Sequence, residues 1–355
     1  MAEIEKKAPR IFHGPENICG IGRSIADWQR EKKMVKSDFI VFTDNTSHNN
    51  SHRNLKLREK NVFEANIIQI EFFIFAILNY DFFHFYFGKS LLPLNLDLPI
   101  LKLFGKKILM DYLGSDIRII SLEQKRNPYY HLRSPKHALD RHEWIKKLRM
   151  RWQSLWFDRC LAARFLYAHA LTSIPKRKIV NHLWINTSMD LSGYHPTFVT
   201  KNIPVIVHAP TNFKTKGTPY VEKAIEELKK EGYQFEYRMF HKVPNTQVIE
   251  FIEKEADIVI DQLISGGFGT LAMEAMCFGK PVCGFVLEEV REMIPDLPIV
   301  QCTIDTIKEK LAWLIENPDE RVKSGKAGWA FAQAHYDRDK NNQELWALYM
   351  EMLGK

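Results

Sequence analysis

Three glycines in one short run, Gly266, Gly267 and Gly269, carry the clearest chemistry in the chain. They follow Asp257 to Ile260, a β-branched run suited to a buried parallel strand. From Thr270 the apolar residues take helical spacing, with Leu271, Met273, Ala275 and Met276 in the pattern. Gly279 and Pro281 stop that helix, and Val282 to Val286 returns to strand. A glycine turn that opens a helix after a strand binds anions, because free N–H groups and the positive end of the helix dipole point at one place. A second pair, Gly20 and Gly22, lies between a short strand, Arg10 to His13, and a helix from about Arg23 to Lys32. With Asp44 about twenty residues further on, it has the outline of a dinucleotide-binding turn, although Ile25 stands where the third glycine would be. A helix-opening turn with no ligand is the other reading. His84, in the run FFHFYFG, shares a strand face with Phe82 and Tyr86, as a hydrogen-bonded core residue or as a site residue. His48 and His52 lie in a polar stretch, Thr43 to Lys60, that reads as a solvated loop and not as a metal site.

The elements that must position these residues alternate along the chain. Strands are expected at Phe39 to Phe42, Asp81 to Phe87 and Lys107 to Tyr112, with helices at Asn66 to Asn79 and Leu94 to Leu103. HLWINTSMDLSGYHP, from His182 to Pro196, is rich in turn formers and reads as a connector. Beyond it come strand Ile203 to His208, helix Thr218 to Lys230, strand Phe235 to Phe240 and helix Asn245 to Glu255. Helices from about Asp305 to Glu316, Pro318 to His335 and Asp339 to Met352 close the chain. Such alternation predicts parallel sheets covered by helices on both faces. The expected division is residues 1–195, 196–336 and a last helix, 337–355, that packs back on the first domain.

The run GGFGTLAMEAMCFGKPV resembles the donor-site signature of the family 4 retaining glycosyltransferases, E-G-F-G-x-x-x-x-E-A-M-A-x-G-x-P-V. Gly267, Phe268, Gly269, Glu274, Ala275, Met276, Gly279, Pro281 and Val282 match at the same spacing, while Gly266 replaces the first glutamate. The resemblance implies a GT-B fold, an α/β chain of two Rossmann-like domains facing a cleft. It also implies that Gly267 and Phe268 line the nucleotide, that the amides of Gly269, Thr270 and Leu271 contact its diphosphate, and that Glu274 binds the ribose hydroxyls. Lys216-Gly217 matches the family's phosphate-clamping lysine, and Lys214 stands near the place of its upstream arginine. A lysine there offers a point charge without bidentate geometry. The run HGPENICGIG, with Gly20 and Gly22, looks like the family's first glycine loop beside acceptor and donor phosphate. His84 falls in the pattern D-V-x-H-F-H-F-G. Leu113-Gly114-Ser115-Asp116-Ile117-Arg118 looks like H-G-S-D-x-R, with Asp116 and Arg118 kept and Leu113 in place of the histidine. Implied as catalytic are therefore Lys216, Glu274, Asp116 and His84.

Composition narrows the rest. The chain has 355 residues, 45% hydrophobic and 26% charged, a globular composition large enough for two domains. Cysteines 19, 160, 277, 283 and 302 are scattered and odd in number, which argues for a reducing compartment and against a disulfide framework or zinc site. The charged start, MAEIEKKAPRIF, has no apolar signal stretch, and Phe72 to Leu78 is too short to span a bilayer. A cytoplasmic chain is expected, with the inner face of the membrane open as its place. Net charge is +7. Residues 118–164 hold twelve Lys/Arg against four Asp/Glu, about +8, so this segment accounts for the whole excess. Within it, Glu143 to Arg164 reads as one amphipathic helix with Trp144, Ile145, Leu148, Trp152, Leu155 and Trp156 on its apolar face. That face either packs on the first domain or meets an anionic membrane through 143–164. No nucleic-acid motif accompanies the patch, and no nucleic-acid partner is expected. The implied reaction is sugar transfer from a nucleotide diphosphate sugar to a glycan or lipid-linked acceptor, with no metal and no cofactor beyond that donor substrate. A nucleotide-sugar epimerase or phosphorylase on the same fold and a catalytically impaired binding subunit remain as alternatives.

Overall fold

The computed structural model describes residues 8–44, 51–133, 142–162, 168–180, 189–199 and 201–355. His48 and part of the expected connector, 182–188, lie outside the described residues. The chain divides into two compact units. Unit 1 takes Met1–Ile119, His137–Asn186 and Asn342–Lys355; unit 2 takes Ile120–Lys136 and Thr187–Asn341.

Unit 1 is built on seven strands: β1 (Ile11–Gly14), β2 (Ser37–Val41), β3 (Arg53–Asn54), β4 (Phe82–Tyr86), β5 (Lys107–Tyr112), β6 (Arg159–Ala162) and β7 (Ile179–Val180). Their order is β3-β2-β1-β4-β5-β6-β7, and every pairing is parallel. Side chains alternate across a strand, so the register assigns each helix to a sheet face. Ile11, Phe82 and Leu109 point to one face, where helix α1 (Ile21–Lys33) packs through Ile25 together with Leu345, Leu348 and Tyr349 near the carboxyl end. Phe12, Phe83 and Ile108 point to the other. There α2 (Val62–Asn79) lays Phe72 5.9 Å from the Phe12 ring. Helix α3 (Asp97–Leu103) follows, and then α4 (Ile120–Arg126), which belongs to unit 2. Helix α5 (Glu143–Trp156) reaches the Phe12 face of unit 1 through Gln153, whose Oε1 accepts the Tyr112 hydroxyl at 2.7 Å.

Tertiary pairing overrides local pattern at three places. The helix expected over Glu143 to Arg164 ends at Trp156. Asp158 exchanges hydrogen bonds with Ile108 through its own N–H (2.9 Å) and its carboxylate (2.8 Å), and the chain continues as β6. The helix expected from Leu94 starts at Asp97. Leu94 and Asn95 have φ of +56° and +58°, in a turn held by the Asp97 carboxylate, which accepts the Leu91 N–H at 2.9 Å and the Ser90 hydroxyl at 2.5 Å. The stretch expected as solvated loop supplies β3. His52 Nδ1 accepts the Phe39 N–H at 2.9 Å, and its Nε2 lies 2.7 Å from Asp27 Oδ1, which pins it to the sheet edge.

Unit 2 has five parallel strands, β8 (Val205–His208), β9 (Glu236–Met239), β10 (Ile258–Ile260), β11 (Val282–Gly284) and β12 (Val300–Gln301), in the order β12-β11-β10-β8-β9. The helices along it are α6 (Phe213–Lys216), α7 (Thr218–Lys230), α8 (Asn245–Glu255), α9 (Thr270–Cys277), α10 (Glu288–Met293), α11 (Ile307–Glu316), α12 (Pro318–His335) and α13 (Arg338–Leu353), the last of which continues into unit 1 from Asn342. Val207 and Val259 are fully buried beside the Ile206, Ile258 and Ile260 core, so β8 and β10 are the central strands. The residues just past their carboxyl ends form the site.

Candidate functional site

Past β10, the chain turns through 261–269 before α9 begins. Gly266 has φ +74°, the left-handed region. A β-carbon there would stand 2.6 Å from Leu287 Cγ, and the Gly266 carbonyl accepts the Leu287 N–H at 3.0 Å. The glutamate of the resembled signature has no room at this position unless Leu287 moves. Gln262 braces the turn by donating from Nε2 to the Gly267 carbonyl at 2.7 Å. Gly269 is extended (φ −113°), so backbone angle is not what demands glycine. What stands close by is charge: a β-carbon would lie 3.3 Å from the movable Lys216 Nζ and 3.5 Å from both Asp261 carboxylate oxygens.

Lys216 arrives from β8 by a tight route. Asn212 caps the single turn α6 by accepting the Thr215 N–H at 2.9 Å, and Gly217 (φ +78°) breaks it before α7. The Lys216 carbonyl accepts the Leu263 N–H at 3.1 Å, which ties the lysine backbone to the strand end carrying Asp261. Lys216 Nζ then meets Asp261 Oδ1 at 2.5 Å, while Asp261 Oδ2 accepts the Gly269 N–H at 2.7 Å. One buried carboxylate thus sits between an ammonium group and the start of α9. The first N–H groups of a helix have no partner within it, and α9 has no acidic side chain in its first turn. Ammonium, amides and dipole converge on a place where the protein already seats an anion.

Glu274 follows one turn later. It is 8% exposed and accepts a hydrogen bond from Asn245 Nδ2 at 3.1 Å. Burial raises its carboxyl to about 7, against the opposing effect of the Asn245 bond. Behind the site, buried His208 bridges the Ile260 carbonyl (3.0 Å) and Thr218 Oγ1 (2.9 Å), and burial drops it to about 4, so it is a neutral brace.

The structure therefore brings Lys216, Gly269 and the start of α9 together, with Gly267 and Phe268 in the turn, Thr270 and Leu271 opening the helix, and Glu274 one turn on. Phe268 is buried. Lys214 is exposed on α6 and does not join the Lys216–Asp261–Gly269 cluster.

The unit 1 candidates have other employment. Gly20 (φ +72°) opens α1 without a capping side chain. A β-carbon on Gly22 would lie 2.6 Å from the Phe39 ring and 2.9 Å from Tyr86, so this glycine lets helix and sheet touch. His84 is fully buried, with Nδ1 2.6 Å from the Tyr349 hydroxyl and 3.2 Å from that of Tyr86. Burial drives its pKa well below the usual histidine value. Asp116 is buried and accepts the Gly114 N–H at 2.7 Å and the Leu113 N–H at 3.3 Å, so its carboxylate closes a turn. Burial pushes its pKa up. Leu113 packs against the Phe39–Val41–Tyr86 cluster. The chain contains one Asp-x-Asp, Asp337-Arg338-Asp339. Asp337 Oδ1 accepts the Lys340 N–H at 2.8 Å as a helix cap.

Sequence reasoning missed Asp261 and the strap that backs the turn. The signal for Asp261 was available: an acid between a buried strand and a glycine turn sits where it can reach the next helix start. The strap, residues 120–133, gave none. Its Asn127 donates to the Ile264 carbonyl at 2.8 Å, Arg126 pairs with Glu289 at 2.6 Å, and the Tyr129 ring lies 5.0 Å from that of Phe285.

Comparison with known proteins bears on this geometry. Residues 200–330 match the family model described as glycosyl transferases group 1, a span that holds every residue of the Lys216–Asp261–Glu274 site. No curated protein sequence matches the chain. The structure of sucrose-phosphate synthase from Thermosynechococcus elongatus is similar, with a TM-score of 0.67 at 12% identity, covering 98% of this chain and 100% of that one. Anabaena HepE in complex with UDP-glucose gives 0.61 at 13%, covering 96% and 99%. S. aureus MnaA with UDP gives 0.57 at 13%, covering 98% and 97%. Residues 200–330 are thus similar to group 1 glycosyl transferases, and the chain shares the α/β fold of these GT-B structures.

Proposed function

We propose that the chain transfers a sugar from a nucleotide diphosphate sugar to an acceptor, with unit 2 holding the donor. The observation that carries this reading is the anion seat formed by Lys216 and the Gly269 N–H at the start of α9, now filled by the carboxylate of Asp261. In such a transfer the anomeric C–O bond breaks, its electron pair leaves with the diphosphate, and the acceptor oxygen bonds the anomeric carbon as its proton departs. The species that needs stabilising is the departing diphosphate. Preorganised amides and an ammonium in a buried setting stabilise it far more than water does. Glu274 takes the ribose hydroxyls in this reading, and the transfer runs with retention and without a metal. Uridine is the proposed base, supported by the UDP-glucose and UDP complexes of structurally similar proteins. The acceptor, a glycan or a lipid-linked saccharide, is assigned to unit 1.

A second reading, a subunit that binds nucleotide sugar without turning it over, is favoured by Leu113 and Gly266. Both replace polar residues of the resembled signature, and both are locked in by packing, Leu113 in an aromatic cluster and Gly266 against Leu287.

Calorimetric titration with UDP, GDP and their sugars, followed by a nucleotide-release assay, separates the readings. Transfer predicts saturable binding with nucleotide release. Binding without release supports the subunit, and a nucleotide sugar returned as its epimer moves the assignment to epimerisation. Absence of binding by any nucleotide diphosphate removes all three.

A further inference from the structure

Helix α2 is long and apolar enough to cross a membrane by length and composition, with a mean hydropathy of 1.5. It does not stand free to do so. Phe72, Phe73, Ala76 and Ile77 are buried, and Phe72 packs on Phe12 of the sheet. The other side of the helix is open: Phe63, Ile67, Ile70, Ile74 and Leu78 are all exposed. At 100° per residue these five fall within one stripe about 80° wide, with Ile70 and Ile74 52% and 55% exposed.

Helix α5 behaves in the same way over part of the apolar face read from its sequence. Its buried residues are Lys146, Met150, Gln153 and Ser154; of the apolar face, Ile145, Trp152 and Trp156 are half-buried, while Trp144, Leu148 and Leu155 are turned outward. Lys146 goes inward because its ammonium donates to the carbonyls of Ser115 (2.9 Å) and Arg118 (3.1 Å). Trp144, Leu148 and Leu155 form the outer stripe, with Trp144 66% exposed, and exposed Lys147 and Arg151 lie along it.

The two stripes belong to one surface. Phe12 and Phe83 share a sheet face with Ile108, and strand alternation places Tyr112 on that same face. Helix α2 sits on Phe12 and α5 on Tyr112, so both cover this face and both turn their outer stripes away from it. They also border a common cavity of about 420 Å³, through Gln69 of α2 and Ile145 and Arg149 of α5, with Leu94 between. Leu94, Leu103 and Phe104 extend the exposed apolar area. An area of this kind marks a contact with a membrane or a protein.

Charge selects the occupant. The turn leading into α2 exposes Lys56, Arg58 and Lys60 against one acid, Glu59, and α5 exposes Arg151 at the edge of its stripe with Lys147 beside it. The acids of α2, Glu64 and Glu71, lie at the edge of its stripe. A second copy would meet this face with the same basic fringe, since a two-fold contact sets one patch against itself. An anionic lipid surface takes the apolar stripes and the bases together, and tryptophan suits the boundary between them. We infer that unit 1 docks on an anionic bilayer through the outer faces of α2 and α5 and the 94–104 segment, lying in the interface without spanning it. This docking is independent of the donor site, so a membrane-bound chain that transfers no sugar leaves it standing.

The test is flotation of the full chain with vesicles of phosphatidylcholine alone and of phosphatidylcholine mixed with phosphatidylglycerol, at low and high salt. Wild type is expected to float with the mixed vesicles, less so at high salt. Ile70→Glu with Ile74→Glu is expected to lower partitioning roughly tenfold or more, and Lys147→Glu with Arg151→Glu to remove the preference for anionic lipid. Every substituted side chain is exposed, so unchanged circular dichroism and melting are expected. If the α2 pair fails to fold, Trp144→Glu with Leu148→Glu replaces it. Wild type left in the soluble fraction, equal flotation on neutral vesicles, or an undiminished α2 variant overturns the inference. So does a dimer in sedimentation velocity that the α2 pair dissociates while wild type ignores vesicles.

Discussion

The chain has two glycine turns, each opening a helix after a strand, and they are glycine-rich for different reasons. At 20–22 the missing β-carbon makes room for aromatic rings: one on Gly22 would strike Phe39 and Tyr86 at 2.6 and 2.9 Å. At 266 it makes room for Leu287, but at 269 what faces the turn is charge, with Lys216 Nζ 3.3 Å and the Asp261 carboxylate 3.5 Å from where a β-carbon would stand. Glycine spacing marks a close approach and is silent about what approaches. A turn filled by rings is packing, and a turn faced by an ammonium and a displaceable anion is a binding site.

The largest expected effect comes from removing the cation. Lys216→Ala should lower donor turnover by about 10²–10³-fold, the usual range for one preorganised donor to a developing oxyanion. It should also destabilise the fold, since Asp261 would remain buried beside the gap, with a penalty of about 3–5 kcal/mol for an orphaned buried charge. Steady-state nucleotide release by the folded fraction checks the first, and urea unfolding the second. Turnover within a few-fold of wild type would put the 266–269 turn in the same class as 20–22.

Glu274→Gln comes next. A carboxylate that accepts ribose hydroxyls contributes about 1.5–3 kcal/mol, so UDP affinity should fall by roughly tenfold or more in calorimetry. The same variant has a pH signature. Burial raises the native carboxyl to about 7, above an ordinary value of 4.5. The native state therefore holds a proton that the unfolded chain releases. The associated stability is full below the unfolded value and is lost as pH rises through about 7, at most about 3 kcal/mol. Wild-type stability should decline from pH 5 to pH 8 and the glutamine variant less so. UDP should bind wild type more tightly above pH 7, where the acceptor is ionised.

Gly22→Ala should cost about 1–3 kcal/mol of stability, the range for overpacking a well-filled contact. UDP affinity should not change, because the effect ends in the rings of Phe39 and Tyr86. A loss of affinity without a loss of stability would restore the ligand reading of Gly20 and Gly22.

Legibility in the sequence followed the same divide. The parallel strands and the Gly267–Leu271 turn were readable because buried β-branched runs and glycine spacing are local signals. Lys216 was readable by its place before Gly217. Its partner was harder, since Asp261 acquires meaning only when β8 and β10 lie side by side and their carboxyl ends meet. Local pattern failed for α5, where Lys146 reaches inward to two carbonyls and the indole of Trp144 faces out. No periodicity rule foresees a buried lysine. It failed again at 120–133, whose contacts with Ile264 and Glu289 join residues more than a hundred positions apart in the chain.

Asp261→Asn gives the smallest effect and the sharpest one. The asparagine Oδ1 can still accept the Gly269 N–H, so the start of α9 stays capped, while Lys216 loses its counter-charge. In wild type an arriving diphosphate must displace a carboxylate from the ammonium and then share the seat with that negative charge. Two like charges about 6 Å apart at an effective dielectric near 20 repel by roughly 3 kcal/mol before screening and side-chain movement reduce it. Removing the charge should therefore strengthen UDP binding several-fold, with a larger UDP-induced rise in melting temperature than in wild type although the free variant melts lower. If affinity instead falls tenfold, the carboxylate is not a placeholder but the group that aims Lys216 at the phosphate. The anion seat would then be a three-residue device, and no turn with glycines and a lysine alone would suffice to build it.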